Sequence, residues 1–129
     1  MTEDQYREWF EKKLAQNRNA KLKPATVSAK FAKQFGARGY YADVTISAQE
    51  AEAFSFVSKV KWENFDNYDE AVIDGILIIL FSQKSIPILS GAFTLEKVHW
   101  NEVDSCYEAF FQAAKLATQE ILRQSGYWG

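Results

Sequence analysis

Apolar residues recur along this chain with two periods, and the changes of period divide it into elements. From Thr2 to about Asn17, Tyr6, Trp9, Phe10 and Leu14 fall at three- and four-residue spacing, the apolar stripe of an amphipathic helix. Thr2 and Gln5 supply a capping box at its start. Asn17–Pro24 is a basic, polar connector. From Ala25 to about Gln34 the pattern changes to alternation, with Val27, Ala29 and Phe31 on one face of a first strand. Gly36 and Gly39 mark a turn. Tyr41–Ser47 then reads as a second strand: Ala42, Val44 and Ile46 share one face, and Tyr41, Asp43, Thr45 and Ser47 the other. Phe54, Phe56 and Ser58 alternate with Ala53, Ser55 and Val57 in a third strand that ends near Trp62.

The helical period returns over Asn67 to about Phe81, with Ala71, Val72, Gly75, Ile76, Ile79 and Leu80 on one side. Gly75 costs helix propensity, about 1 kcal/mol against alanine. Its presence predicts a close approach to the sheet. After a connector containing Pro87, Ala92 to about Trp100 forms a fourth strand. A last helix follows, capped by Ser105 with Glu108 completing the box. Its predicted buried stripe is Tyr107, Phe110, Phe111, Ala114, Ala117, Ile121 and Leu122. The order is a leading helix and then β-β-β-α-β-α. Two helices over one face of a four-stranded sheet make a two-layer α/β (α+β) sandwich. The expected organisation is 1–24, helix and basic connector, followed by 25–129, the α/β domain.

Composition narrows the class. The 129 residues are 47% hydrophobic, 16% aromatic and 25% charged, which suits one globular domain with a real core. No run approaches eighteen apolar residues, so no membrane helix is expected. The acidic, amphipathic start lacks the features of a signal peptide. A single cysteine, Cys106, excludes an internal disulfide and a cysteine metal cage. A cytoplasmic location is the simplest expectation.

Net charge is only -2, but its distribution is uneven. Lys12 to Arg38 carries eight basic residues and no acidic one, whereas Gly39 to Phe110 carries twelve acids against four bases. A basic stretch beside an acidic body can steer a polyanion to one side; a solvated surface with uneven charge gives the same pattern.

Machinery for covalent chemistry is sparse. Ser105, His99 and Asp104 are the residue types of a hydrolytic triad, but they are local in sequence and Ser105 has capping work to do. Cys106 near a helix start can be activated or simply packed. Asp66, Asp69 and Glu70 complement a helix N-terminus. GARG lacks the spacing and lysine of a phosphate-binding P-loop, so no nucleotide is expected. A small hydrolase is the most distant of the functional readings, and no metal or cofactor is expected. Arg38 is the sharper residue. It stands in the glycine-marked turn beside Tyr40 and Tyr41, where a guanidinium can pair with phosphate and an aromatic ring can stack on an unpaired base. Lys30 and Lys33 extend the patch.

Three segments in order carry a family resemblance: KFAKQFGARGYYADV at Lys30–Val44, AVIDG at Ala71–Gly75 and EVDSCYEAFFQAA at Glu102–Ala114. They resemble domain IV of elongation factor G and related translational GTPases, over about Ala25 to Gln124, here as a stand-alone domain. The resemblance implies a ribosomal protein S5 domain 2-like fold with a left-handed β-α-β crossover, an exception to the usual handedness. It also implies a domain without hydrolytic activity whose tip, built from two loops, reaches the ribosomal decoding region. By position the tip residues are Lys33, Arg38, Gly39, Tyr40 and Tyr41 on one loop, and Asn101, Glu102, Asp104 and Ser105 on the other. The family turn usually reads GGRGQYGHV. Here Ala37, Tyr40, Ala42 and Asp43 replace glycine, glutamine, glycine and histidine, and Asn101 stands where the family often has histidine.

Two functions are therefore expected of such a chain. One is a non-catalytic module contacting ribosomal or other structured RNA through the Arg38 and Asp104 turns. The other is a protein-interaction module, such as an inhibitor, immunity-like or assembly protein, with Tyr6, Trp9 and Phe10 as docking residues. Without a GTPase domain, nucleotide-driven movement is not expected.

Overall fold

The computed structural model describes residues 4–5, 8, 22–62, 67–82, 90–100 and 104–126. Asp4, Gln5 and Glu8 are helical and exposed. Tyr6, Trp9 and Phe10, the expected docking stripe, lie outside the described residues.

The remaining elements are β1 (Ala25–Phe35), β2 (Arg38–Gln49), β3 (Phe54–Ser58), α1 (Asp69–Phe81), β4 (Gly91–His99) and α2 (Tyr107–Gln124). Each strand is within three residues of its predicted start, and the β-β-β-α-β-α order holds. In the sheet the strands lie in the order β1-β2-β4-β3. β1 and β2 form an unbroken antiparallel hairpin from Ala25↔Ala48 to Phe35↔Arg38. β4 adds antiparallel to β2, and β3 adds parallel to β4. Parallel neighbours need a crossover, and α1 supplies it.

Alternation in the sequence becomes the two faces of the sheet. Ala42, Val44, Ile46 and Leu95 are 0% exposed and face the helices. Phe110, Ala114, Ala117, Ile121 and Leu122 of α2 close over them. Each large side chain buried this fully contributes about 1.5–3 kcal/mol. All six predicted inward positions of α1 are buried. Leu22, from the connector, is only 4% exposed and joins the same core. The next residue fixes the path, since the Lys23 backbone N–H donates to Ser125 Oγ at 3.0 Å.

Gly75 does permit a close approach, but to α2 and not to the sheet. A methyl group there would stand 2.6 Å from the Phe111 carbonyl oxygen and 2.8 Å from Ala114 Cβ. Two further expectations for α2 are corrected. Tyr107, placed in the buried stripe, is exposed. Ser105 does not cap the helix: Cys106 is the N-cap residue, in extended conformation at φ -160°, and no side chain caps it.

Four rings fill the space beneath the start of both helices. Tyr68 stacks on Phe110 with centroids 4.8 Å apart, and Trp62 meets Phe110 edge-on at 5.3 Å and Trp100 at 5.6 Å. Trp62 Nε1 donates to Asp69 Oδ1 at 3.0 Å. The Asp69 backbone N–H donates to Asn67 Oδ1 at 2.9 Å, so Asn67 starts a turn ahead of the helix instead of being its first residue. Trp62, Tyr68 and Asp69 thus tie the end of the third strand's connection to the starts of both helices.

Candidate functional site: a two-loop tip

β1 and β2 are joined by a two-residue loop, Gly36–Ala37, closed by the pair Phe35↔Arg38. Gly36 has φ +61°, the left-handed value that the first position of such a tight hairpin demands. The turn therefore holds Arg38 at the extremity of the hairpin, with its side chain exposed.

The last β2–β4 pair is Asp43↔His99. Beyond it the next outward-facing backbone groups of β2, those of Tyr41, need other partners. The loop before α2 provides both. Tyr41 N–H donates to the Asp104 carbonyl oxygen at 3.0 Å, and Ser105 Oγ donates to the Tyr41 carbonyl oxygen at 2.7 Å. These bonds join two segments more than sixty residues apart, and Ser105 stands one residue ahead of the N-cap position. Gly39 completes the fit. A methyl group on it would lie 2.8 Å from the carboxyl carbon and both carboxylate oxygens of Asp104, so only glycine leaves that side chain its place.

Arg38 has neighbours on two sides. Its guanidinium lies over the Tyr40 ring, 5.1 Å from the centroid, with the Cys106 side chain close enough to act on its charge. The Cys106 contact first, and Tyr40 second, raise its pKa above the already high arginine value, so the charge persists at any working pH. Lys33 stands directly across from Tyr40 and is exposed. Beside this pair an open hollow of about 300 Å³ is lined by Ala32, Lys33 and Gln34 of β1 and by Gly39, Tyr40, Tyr41 and Asp104. Alternation along the hairpin places Arg38, Tyr40 and Lys33, two cations and a ring, on one face, and Tyr41 with the half-buried Asp104 beside Gly39 on the other.

Lys33, Arg38, Gly39, Tyr40, Tyr41, Asp104 and Ser105 are thus gathered at one end of the molecule. Asn101 and Glu102, predicted for the same tip, lie outside the described residues. The residue types of the hydrolytic reading are not gathered in this way. His99 points to the open sheet face in the Asp43 row, Ser105 is bonded to Tyr41, and Cys106 faces Arg38. Sequence reasoning missed Cys106 as a neighbour of Arg38. Periodicity carries no signal for a contact between a hairpin and a helix start.

Among the described residues no group of three or more His, Cys, Asp or Glu side chains is placed to hold a metal ion, and no helix is long and apolar enough to cross a membrane. Fold and tip together define a two-layer α/β domain whose hairpin and second loop are joined at one end. The family model for "Elongation factor G, domain IV" matches residues 16–126, and the chain belongs to that family. It is 32% identical over 106 residues to elongation factor G 1 of Syntrophomonas wolfei, an alignment covering 80% of this chain and 16% of that protein. A crystal structure of a Thermus thermophilus protein is similar at TM-score 0.74 and 26% identity, covering 81% of this chain and 16% of the other. The chain thus spans about a sixth of the length of these relatives.

Proposed function

We propose that the domain binds structured RNA, the ribosome foremost, through the tip formed by Lys33, Arg38, Gly39, Tyr40, Tyr41, Asp104 and Ser105, with Asn101 and Glu102 on the second loop. The observation that carries this reading is the placement of Arg38. A guanidinium stacked on Tyr40 at the end of a hairpin loses less freedom on meeting a phosphate than an unsupported one. Tyr40 and Tyr41 beside it suit contact with an unpaired base. Family membership supports the same reading, as does the absence of acid between Lys12 and Arg38. A ribosomal partner implies a cytoplasmic location. Co-sedimentation with purified ribosomes at low salt tests it. Binding should fall as salt rises and weaken in Arg38→Ala. A wild-type protein that stays in the supernatant at low salt sinks the proposal.

A second reading, a protein-interaction module on the same scaffold, is favoured by Ile78 and Phe81, which are 45% and 49% exposed on α1. Recovery of one protein partner, undiminished by nuclease and lost in Ile78→Ser, supports that reading against the first.

A further inference from the structure

The sheet face turned away from the helices is polar, and its charge is not evenly spread. Its rows follow from the register. Lys30, Asp43 and His99 form the row nearest the tip, and Ser28, Thr45 and Lys97 form the next. Farther out lie Thr26, Ser47 and Thr94, with Glu96 bulged out of the ladder beside them. Glu96 is already neutralised. It accepts from Ser47 Oγ at 2.6 Å and pairs with Lys59 Nζ at 3.2 Å, and these contacts, Ser47 first, hold its carboxyl below the ordinary range. Lys30 and Lys97 are different. Both are exposed, and among the described residues neither forms an ion pair. Asp43, half-buried between Lys30 and His99, is the one acid in these two rows.

We infer that the tip-proximal half of this open sheet face is a phosphate-binding surface, on which Lys30 and Lys97 hold the sugar-phosphate backbone of the RNA stem whose end the tip meets. The inference rests on the RNA-binding reading of the tip and adds a second contact region to it. Charge complementarity and continuity carry it. The tip reaches this face through Tyr41, which stands two residues from Asp43 on the same side of β2, about 7 Å along the strand, with Lys30 directly across from Asp43. Lys97 lies two strand spacings from Lys30 and two residues along, about 12 Å between backbones. A rigid sheet keeps the two ammonium groups apart, so they engage separate phosphates. Thr45, hydrogen-bonded to Ser28 at 2.8 Å, and the half-buried Asp43 stand on β2 between them, so the two exposed lysines outnumber the one acid there. Contacts of this type position a nucleic acid without reading its sequence.

The test measures binding of the full chain to a fluorescein-labelled RNA stem-loop of about 12 base pairs, by anisotropy across a salt series. Each lysine that neutralises one phosphate contributes about 0.9 to the slope of log affinity against log salt on a duplex. Lys30→Gln and Lys97→Gln should each reduce the slope by about 0.9. Between about 50 and 200 mM salt, the loss of affinity then shrinks by about 3.5-fold per lysine removed. The effect should be equal on stems of different sequence. Lys59→Gln, whose charge is committed to Glu96, should leave the slope unchanged, and thermal melting verifies that each variant is folded. Salt-dependent binding by the wild type with unaltered slopes in both variants overturns the surface and leaves the tip reading standing. A wild type without salt-dependent binding to the stem-loop overturns both.

Discussion

Ser105 offers the clearest test of how the tip is built, because its two roles make opposite predictions. In the structure its hydroxyl satisfies the Tyr41 carbonyl at 2.7 Å, in half-buried surroundings. Ser105→Ala leaves that carbonyl without its partner. A made hydrogen bond of this kind is worth about 0.5–1.5 kcal/mol, and a stranded acceptor costs about 1–3 when water is excluded. With partial access to water the expected loss is about 1 kcal/mol, or about 3–5 °C in melting temperature for a domain of this size. Ser105→Gly removes the same hydroxyl and loosens the unfolded chain as well, so it should destabilise at least as much as alanine. A serine acting as N-cap behaves otherwise: alanine costs about 1 kcal/mol and glycine only a few tenths. Urea unfolding of both variants, with Ser105→Thr as the hydroxyl-retaining control, separates the two. Hydrogen exchange at the Tyr41 amide should quicken in the alanine variant, since the bond to Asp104 rests on the same clasp. A glycine variant clearly closer to wild type than the alanine variant, or an alanine variant within about 0.3 kcal/mol of wild type, refutes the clasp.

Gly75→Ala should destabilise by about 1 kcal/mol despite the gain in helix propensity, because the new methyl group meets the Phe111 carbonyl oxygen of α2 at 2.6 Å; a rise in melting temperature refutes this. Gly39→Ala should displace the Asp104 carboxylate while keeping the Tyr41–Asp104 backbone bond, seen as a changed Asp104 carboxyl carbon shift with Tyr41 amide protection intact. The Tyr107 hydroxyl donates to Asp74, which pushes the phenol up to about 12. A folded pKa above the unfolded value of about 10 gives stability that is present below pH 10 and lost as pH rises through about 12, and ring-carbon NMR should show the Tyr107 midpoint returning toward 10 in Asp74→Ala. Glu120, held at about 2 mainly by the Arg123 hydrogen bond, runs the other way: its contribution is present above the ordinary carboxylate range and lost as pH falls toward 2, and Arg123→Gln should raise its midpoint.

The chain's own pattern determined which residues face inward. The alternation of β2 and the helical period of α1 were fully legible, down to all six buried positions of α1. Side-chain direction follows from backbone geometry within a few residues, so a sequence can display it. The tip was legible in outline, since a glycine-marked turn, an arginine and an acidic loop are local features and the family resemblance set the loops together. Tertiary structure decided the partners. β4 enters between β2 and β3, and a bulge at Glu96 shifts the register of the open face. Gly75 serves α2 and not the sheet. Tyr107 turns outward to Asp74, and Ser105, one residue ahead of the N-cap, donates its hydroxyl to a carbonyl 64 residues away. Each of these is a competition between a local and a distant partner for one polar group or one contact surface. Only the folded geometry brings the distant partner within hydrogen-bond range.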